Sequence, residues 1–267
     1  MRVFISCDIE GIATTTLWDE TSTQTKPELA SRHAEQMTRE VRAACEGAVA
    51  AGADFILVRD AHGTATNIDP SQLPECAELI RGWNGHPNLM VYGVDHSFDA
   101  AMFVGYHSAA GREGSPLSHT MTLRPFWVKL NGVKCSEFRL YSWACALEGV
   151  PTVFLAGDRM LCEDSAGIHP RLRTVAVKDG LGGSTRSISP ALAIRKIREE
   201  SEAALRQDLT QALCALPKEF MLEVCYKEHA NAVRASFFPG FTQTDDNTVT
   251  LRTMDYFEVL RAAAFIL

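Results

Sequence analysis

The chain has 267 residues, of which 46% are hydrophobic and 22% charged, with a formal net charge of -7. That length allows one large domain or two smaller ones with a substantial core, and the composition excludes a disordered chain. The acidic balance argues against any general attraction to nucleic acid or to an anionic membrane. Met1 and Arg2 run directly into a strand, with no long apolar stretch and no small-residue cleavage pattern. No signal peptide is expected, and a cytoplasmic location is. No window approaches the ~20 apolar residues of a membrane span. The eight cysteines lack CxxC spacing, so neither a zinc ribbon nor a redox pair is indicated, and most read as small buried hydrophobes.

The first element, residues 3–7, is a short apolar run that ends in Asp8 and Glu10. In an extended segment, carboxylates at i and i+2 share a face with Cα atoms ~6.5–7 Å apart. Two acids so placed repel unless a cation sits between them, and a divalent metal is the simplest one. The alternative is a strand ending in solvated acids. Gly11 lets the chain turn close to this point. Residues 14–26 are polar and without period, which predicts a loop at the mouth of the site. Pro27 then opens a helix of about six turns with Leu29, His33, Met37, Val41, Cys45 and Val49 on its apolar side, capped at Gly52. His33 reads as a packed histidine.

Residues 55–58 form a second apolar strand that runs into Asp60 and His62, and strand, helix, strand predicts a right-handed parallel βαβ unit. Residues 73–83 are expected to be helical and 89–92 to be a short strand. Residues 101–105 form the next strand, followed by His107. Three strands thus each deliver a metal-competent residue past their C-terminal ends, where open parallel sheets bind their ligands. Residues 127–130 and the Asn131-Gly132 pair predict a strand and a tight turn. Glu137 opens a helix that ends at Gly149 and Pro151, residues 153–158 and 174–178 are further strands, and residues 180–184 read as a boundary or active-site loop. A helix capped at Ser189 is expected to reach about Ala215. The tail reads as strand (220–226), short helix from about Asn231, strand (248–254) and helix (255–265). The fold class is α/β, a mostly parallel central sheet flanked by helices. Residues 1–188 are expected to form the metal-binding catalytic domain and 189–267 a smaller C-terminal α/β lobe.

Carboxylates and imidazoles are both good ligands for zinc and related ions. Asp8, Glu10, His62, His107 and Glu137 supply enough donors for two metals ~3.5–4 Å apart with one carboxylate bridging. Each has a structural alternative: a histidine after a strand is commonly a hydrogen-bonding residue, and Glu137 suits a helix start. Lys178 and Asp158 also follow strands, where they reach the site or form a structural ion pair. Cys7 and Cys135 adjoin proposed ligands, but neither has a histidine partner that would make it a nucleophile.

The segments 6–11 (Ser-Cys-Asp-Ile-Glu-Gly), 60–63 (Asp-Ala-His-Gly), 105–107 (Gly-Tyr-His), 118–120 (Ser-His-Thr), Asn131 and Gly132 with Glu137, and 149–151 with 157–158 resemble, in order and spacing, those of the DppA-type D-aminopeptidases. The resemblance covers most of residues 1–190 and is fainter beyond. It implies a dinuclear zinc site with two Zn2+ per subunit, in which Asp8 is the bridging ligand, Glu10 and His62 lie on one side, and His107 and Glu137 on the other. It also implies that His119 is the catalytic histidine, as acid/base or nucleophile, and that the subunits form a homodecamer enclosing the active sites. The implied activity is release of N-terminal D-residues from short peptides such as D-Ala-D-Ala. Ser136, Phe138 and Arg139 depart from the small residues the family carries around the glutamate, and Arg139 either binds a substrate carboxylate or covers the helix. Two other readings stand beside this one: a dinuclear amidase acting on amino-acid amides or N-acyl substrates, and a non-catalytic metal-binding assembly protein.

Overall fold

A computed structural model describes residues 1–22 and 24–267, so Thr23, within the expected loop 14–26, lies outside the described residues. The chain folds as β1 (Arg2–Cys7), α1 (Pro27–Ala50), β2 (Phe55–Asp60), β3 (Ala77–Ile80), β4 (Ala100–Tyr106), β5 (Pro125–Leu130), β6 (Val133–Lys134), α2 (Glu137–Leu147), β7 (Thr152–Asp158) and α3 (Arg159–Asp164). There follow β8 (Arg173–Leu181), β9 (Ser184–Ser187), α4 (Pro190–Leu205), β10 (Phe220–Tyr226), α5 (His229–Ser236), β11 (Phe241–Asp245), β12 (Thr248–Thr253) and α6 (Tyr256–Ile266). Seven strands form one sheet in the order β3-β2-β1-β4-β7-β8-β9, parallel except for β9. The other five form an antiparallel sheet, β11-β12-β10-β5-β6. This is the α/β architecture expected.

The larger sheet is buried on both faces, which its apolar strands require. Along β1 the side chains alternate: Val3, Ile5 and Cys7 join a core with Met37, Val41, Ile56 and Ile197 under α1 and α4, whereas Phe4 joins the opposite core. That second core holds Phe103, Phe138 and Leu140 together with Leu222, Val224, Tyr256 and Val259. The smaller sheet and α6 therefore share one apolar interior with α2 and the larger sheet. β1 lies between β2 and β4, so the chain leaves it on one side, returns and continues on the other. The C-terminal end of β1 is the topological switch point, where ligands bind in such sheets.

Several expectations give way. Residues 73–83 are not helical: a 3-10 turn at Pro70–Gln72 precedes β3, which pairs with β2. Pro74 lacks an N–H and disfavours helical backbone at Leu73, which is extended (φ -79°, ψ 151°). Leu89–Val91 is a 3-10 turn rather than a strand; Met90 and Val91 are buried there, and an apolar run this short carries no period to decide between states. The glycines at 180–184 are not a domain boundary but continue β8 into the β8–β9 hairpin, turned at Gly182 and Gly183. α4 stops at Leu205, because the Asp208 carboxylate accepts from the Thr210 N–H and Oγ1 and folds a separate turn. α3, β9 and β11 were not anticipated. β5 and β6 belong to the smaller sheet, paired with β10, and α4 packs on α1 of the larger one. Among the described residues no helix is long and apolar enough to cross a membrane.

Candidate metal centre and active site

The turn after β1 sits against the end of β4. Gly11 N–H donates to the Gly105 carbonyl (2.8 Å), and a Cβ on Gly11 would lie 1.8 Å from the Tyr106 carbonyl oxygen. Gly105, at φ +78°, would place a Cβ 2.1 Å from the Asp8 carbonyl oxygen. Only glycines allow this approach, and it brings Asp8 and Glu10 beside His107. The same turn is tied from behind by Lys178, whose ammonium donates to the carbonyls of Glu10 and Thr15, and by Glu40, which accepts from Ala13 N–H at 2.9 Å. Burial holds Lys178 down to about 8 and Glu40 up to about 7.

Two groups of donors result. Asp8, Glu10 and His62 form one; His107, His119 and Glu137 form the other. Asp8 faces both: its Oδ1 is 3.2 Å from His62 Nδ1 and its Oδ2 is 3.4 Å from His107 Nε2. His62 Nδ1 also lies 3.0 Å from Glu10 Oε2, and His107 Nε2 lies 3.3 Å from Glu137 Oε2. His119 Nε2 is 3.5 Å from Glu137 Oε1. The carboxylates are nearly inaccessible, with Asp8 and Glu10 each 2% exposed.

Backbone carbonyls set the tautomers. His62 Nε2 lies 2.8 Å from the Thr21 carbonyl oxygen, His107 Nδ1 2.9 Å from that of Ser108, and His119 Nδ1 2.9 Å from that of Leu117. A carbonyl can only accept, so each of these nitrogens carries the proton. The other nitrogen of each neutral imidazole then presents a lone pair to carboxylate oxygens. Acceptor faces acceptor at three places, and a cation is required. Protons meet part of the need: burial opposes charge on His62 and His107, but the Glu10, Glu137 and Asp8 carboxylates raise both well above the usual range. Burial likewise opposes charge on Asp8 and Glu137, yet the histidines hold both below the usual carboxylate range. Protons leave His107 Nε2, Asp8 Oδ2 and Glu10 Oε2 without an aligned hydrogen-bond partner among the described residues. A divalent metal in each group would satisfy all three, and nitrogen and oxygen donors in this mixture suit zinc.

The surroundings orient these ligands. Asp60 accepts from the Asn67 and Ile68 N–H groups (2.5 and 2.9 Å) and from Asn67 Nδ2 (2.9 Å), which folds the 61–68 loop that carries His62. Asp158 accepts from Ser108 N–H and Oγ, each at 2.6 Å, and so fixes the residue whose carbonyl holds His107. Glu137 stands at the start of α2, capped by Ser136, and its Oε1 accepts from Met121 N–H at 2.6 Å. Met121 is in the left-handed region (φ +63°), a strained state that aims this N–H and holds the adjoining His119 loop.

All six predicted site residues converge. Lys178 and Asp158 position backbone around the site rather than entering it. His33 is packed as expected, with Nδ1 2.8 Å from Thr15 Oγ1. Burial pushes the Cys135 thiol up to about 12 and Cys7 well above its usual value, so neither is a nucleophile. Arg139 lies over the Trp143 ring, 5.2 Å from its centroid. Neither Trp18 nor the Thr21 carbonyl carries an individual signal in the sequence; both fall in the loop expected at the mouth of the site.

An α/β sheet with three acids and three histidines at its switch point offers two groups of donors that could hold metal ions, as in hydrolases of this class. The sequence profile of peptidase family M55, D-aminopeptidase, matches residues 1–265. The chain belongs to that family, and it is accordingly an aminopeptidase, a hydrolase of peptide bonds. It is 28% identical over 264 residues to a D-aminopeptidase of Bacillus subtilis (strain 168), covering 98% of this chain and 95% of the relative. It superposes with a TM-score of 0.91 and 26% identity on the Zn-dependent D-aminopeptidase DppA from Bacillus subtilis, a self-compartmentalizing protease, across 100% of this chain and 96% of that one.

Proposed function

We propose that the protein is a zinc-dependent aminopeptidase that removes the N-terminal residue from short peptides containing D-amino acids, of the D-Ala-D-Ala kind, at a centre of two zinc ions. Asp8 would bridge the ions, Glu10 and His62 would hold one, and His107 and Glu137 the other. The observation that carries this reading is the arrangement of imidazoles, each with one nitrogen spent on a carbonyl and the other turned to buried carboxylates. Zinc bound there supplies a Lewis acid for the scissile carbonyl and a nucleophilic water at neutral pH. His119 is the more accessible of the two stacked histidines (13% against 0% side-chain exposure). Its free Nε2 takes and returns a proton during cleavage while the Leu117 carbonyl holds the ring in place. Asp60, Asp158 and Lys178 keep the ligands in register without touching substrate.

The reading extends to assembly and place. The chain forms a homo-oligomer, a decameric ring with its active sites enclosed, and acts in the cytoplasm on peptides small enough to enter. The activity is tested by release of alanine from D-Ala-D-Ala and L-Ala-L-Ala in parallel, with zinc-reconstituted wild-type, Asp8→Ala and His119→Ala proteins. Release from the D-form alone is expected, abolished in Asp8→Ala and reduced at least a hundredfold in His119→Ala. Preference for amino-acid amides over both dipeptides would move the assignment to an amidase. Unchanged turnover in His119→Ala would remove the proposed proton transfer.

A further inference from the structure

Beside the Asp8, Glu10 and His62 group lies a cavity of about 390 Å3, near the lower end of the ~300–1,000 Å3 typical of small-molecule sites. Its wall includes Glu10, His62, Thr21, Thr64 and Asn67, and one aromatic side chain, Trp18. Trp18 is 39% exposed, so much of its indole faces open space rather than core. It also meets His119 edge to face, with ring centroids 5.3 Å apart at 71°, and His119 in turn stacks on His107 at 4.3 Å and 9°. One indole therefore reaches from the cavity at the first donor group to the histidines of the second.

Its support is braced. Thr16 and Leu17 N–H groups donate to Glu20 Oε2 (2.6 and 2.9 Å), Lys26 pairs with Asp19 (2.7 Å), and the Thr21 carbonyl accepts from His62. These contacts fix the backbone that carries the indole, and the indole itself rests edge to face on His119. In a small cavity with polar walls, a braced aromatic face rewards a methyl group and obstructs a larger side chain.

We infer that Trp18 determines which N-terminal side chains this site accepts: its indole is the apolar wall against which an alanine-sized side chain of the substrate's first residue packs. The inference rests on the aminopeptidase reading and deepens it by naming the residue that sets the size of the first side chain.

The test compares kcat/KM for D-alanine amide and D-phenylalanine amide in zinc-loaded, full-length wild-type, Trp18→Ala and Trp18→Phe proteins, with thermal melts to confirm folding. Wild type is expected to favour the alanyl substrate at least tenfold. Trp18→Ala should narrow that ratio about tenfold or more, mainly through KM, with Trp18→Phe between the two. A ratio unchanged within twofold in folded Trp18→Ala overturns the inference. A readout without turnover accompanies it: the intrinsic fluorescence of wild type should change on titration with D-alanine, and the change should be lost in Trp18→Phe. No change in wild type, or an undiminished change in Trp18→Phe, also overturns it. If wild type cleaves neither these amides nor the alanine dipeptides, the aminopeptidase reading fails, and the fluorescence titration still decides whether Trp18 meets the ligand.

Discussion

At the scale of single residues, the site rests on one device used three times. A carbonyl from Thr21, Ser108 or Leu117 takes the proton-bearing nitrogen of an imidazole, and the remaining lone pair is turned toward Asp8, Glu10 or Glu137. His169 provides the contrast, a buried histidine with no carboxylate partner among the described residues. Its Nε2 lies 2.8 Å from Ser142 Oγ, and burial, together with the nearby Arg139 charge, lowers it to about 4. The folded chain thus binds fewer protons than the unfolded chain between about 4 and 6.5. His169 therefore contributes stability that is fully present above about pH 6.5 and lost as pH falls to about 4, on the order of 3 kcal/mol. Urea titrations across that window should show the decline, and His169→Gln should flatten it; an equally steep decline in the variant would assign it to other groups. Asp8, Glu10, His62 and His107 were legible because acids and histidines follow strand ends, Glu137 because it opens a helix, and His119 only through the family resemblance. Asp60 and Asp158 were visible at strand ends but their roles were not, and Trp18 carried no signal, because these roles depend on loops folded back onto those ends.

At the scale of elements, the site exists because the turn after β1 touches the end of β4. Gly11→Ala would drive a methyl into the Tyr106 carbonyl, backbone that cannot give way. A loss of about 3 kcal/mol or more is expected in chemical denaturation, with weakened zinc binding. Gly183→Ala, at a position with nothing within 4 Å of the added carbon, should cost less than about 0.5 kcal/mol. Equal stability of the two variants would show that the close approach is not required. The long elements were readable: α1 from its period and Pro27, β5 with its turn from Asn131-Gly132, both at positive φ. The short ones were not. β3 takes its state from pairing with β2, the Leu89–Val91 turn from packing against the core, and the end of α4 from the Asp208 turn.

At the scale of the whole molecule, two sheets share an interior, and the chain enters the smaller one at β5, returns to the larger at β7 and enters the smaller again at β10. The parallel sheet presents strand ends that gather ligands, while the antiparallel sheet buries its other face. Pattern and order in the sequence made the first of these visible; the partnership of β5 with β10, some ninety residues apart, has no local signature. The central claim is that the two donor groups around Asp8 each hold a metal ion in the working protein. Native mass spectrometry of zinc-loaded protein tests it most directly, because one spectrum reads both zinc per chain and chains per assembly. Two zinc ions per chain within a homodecamer are expected for wild type, and at most one per chain for Asp8→Ala. Wild type that retains a single zinc ion per chain, or none, while still cleaving D-Ala-D-Ala would contradict the account.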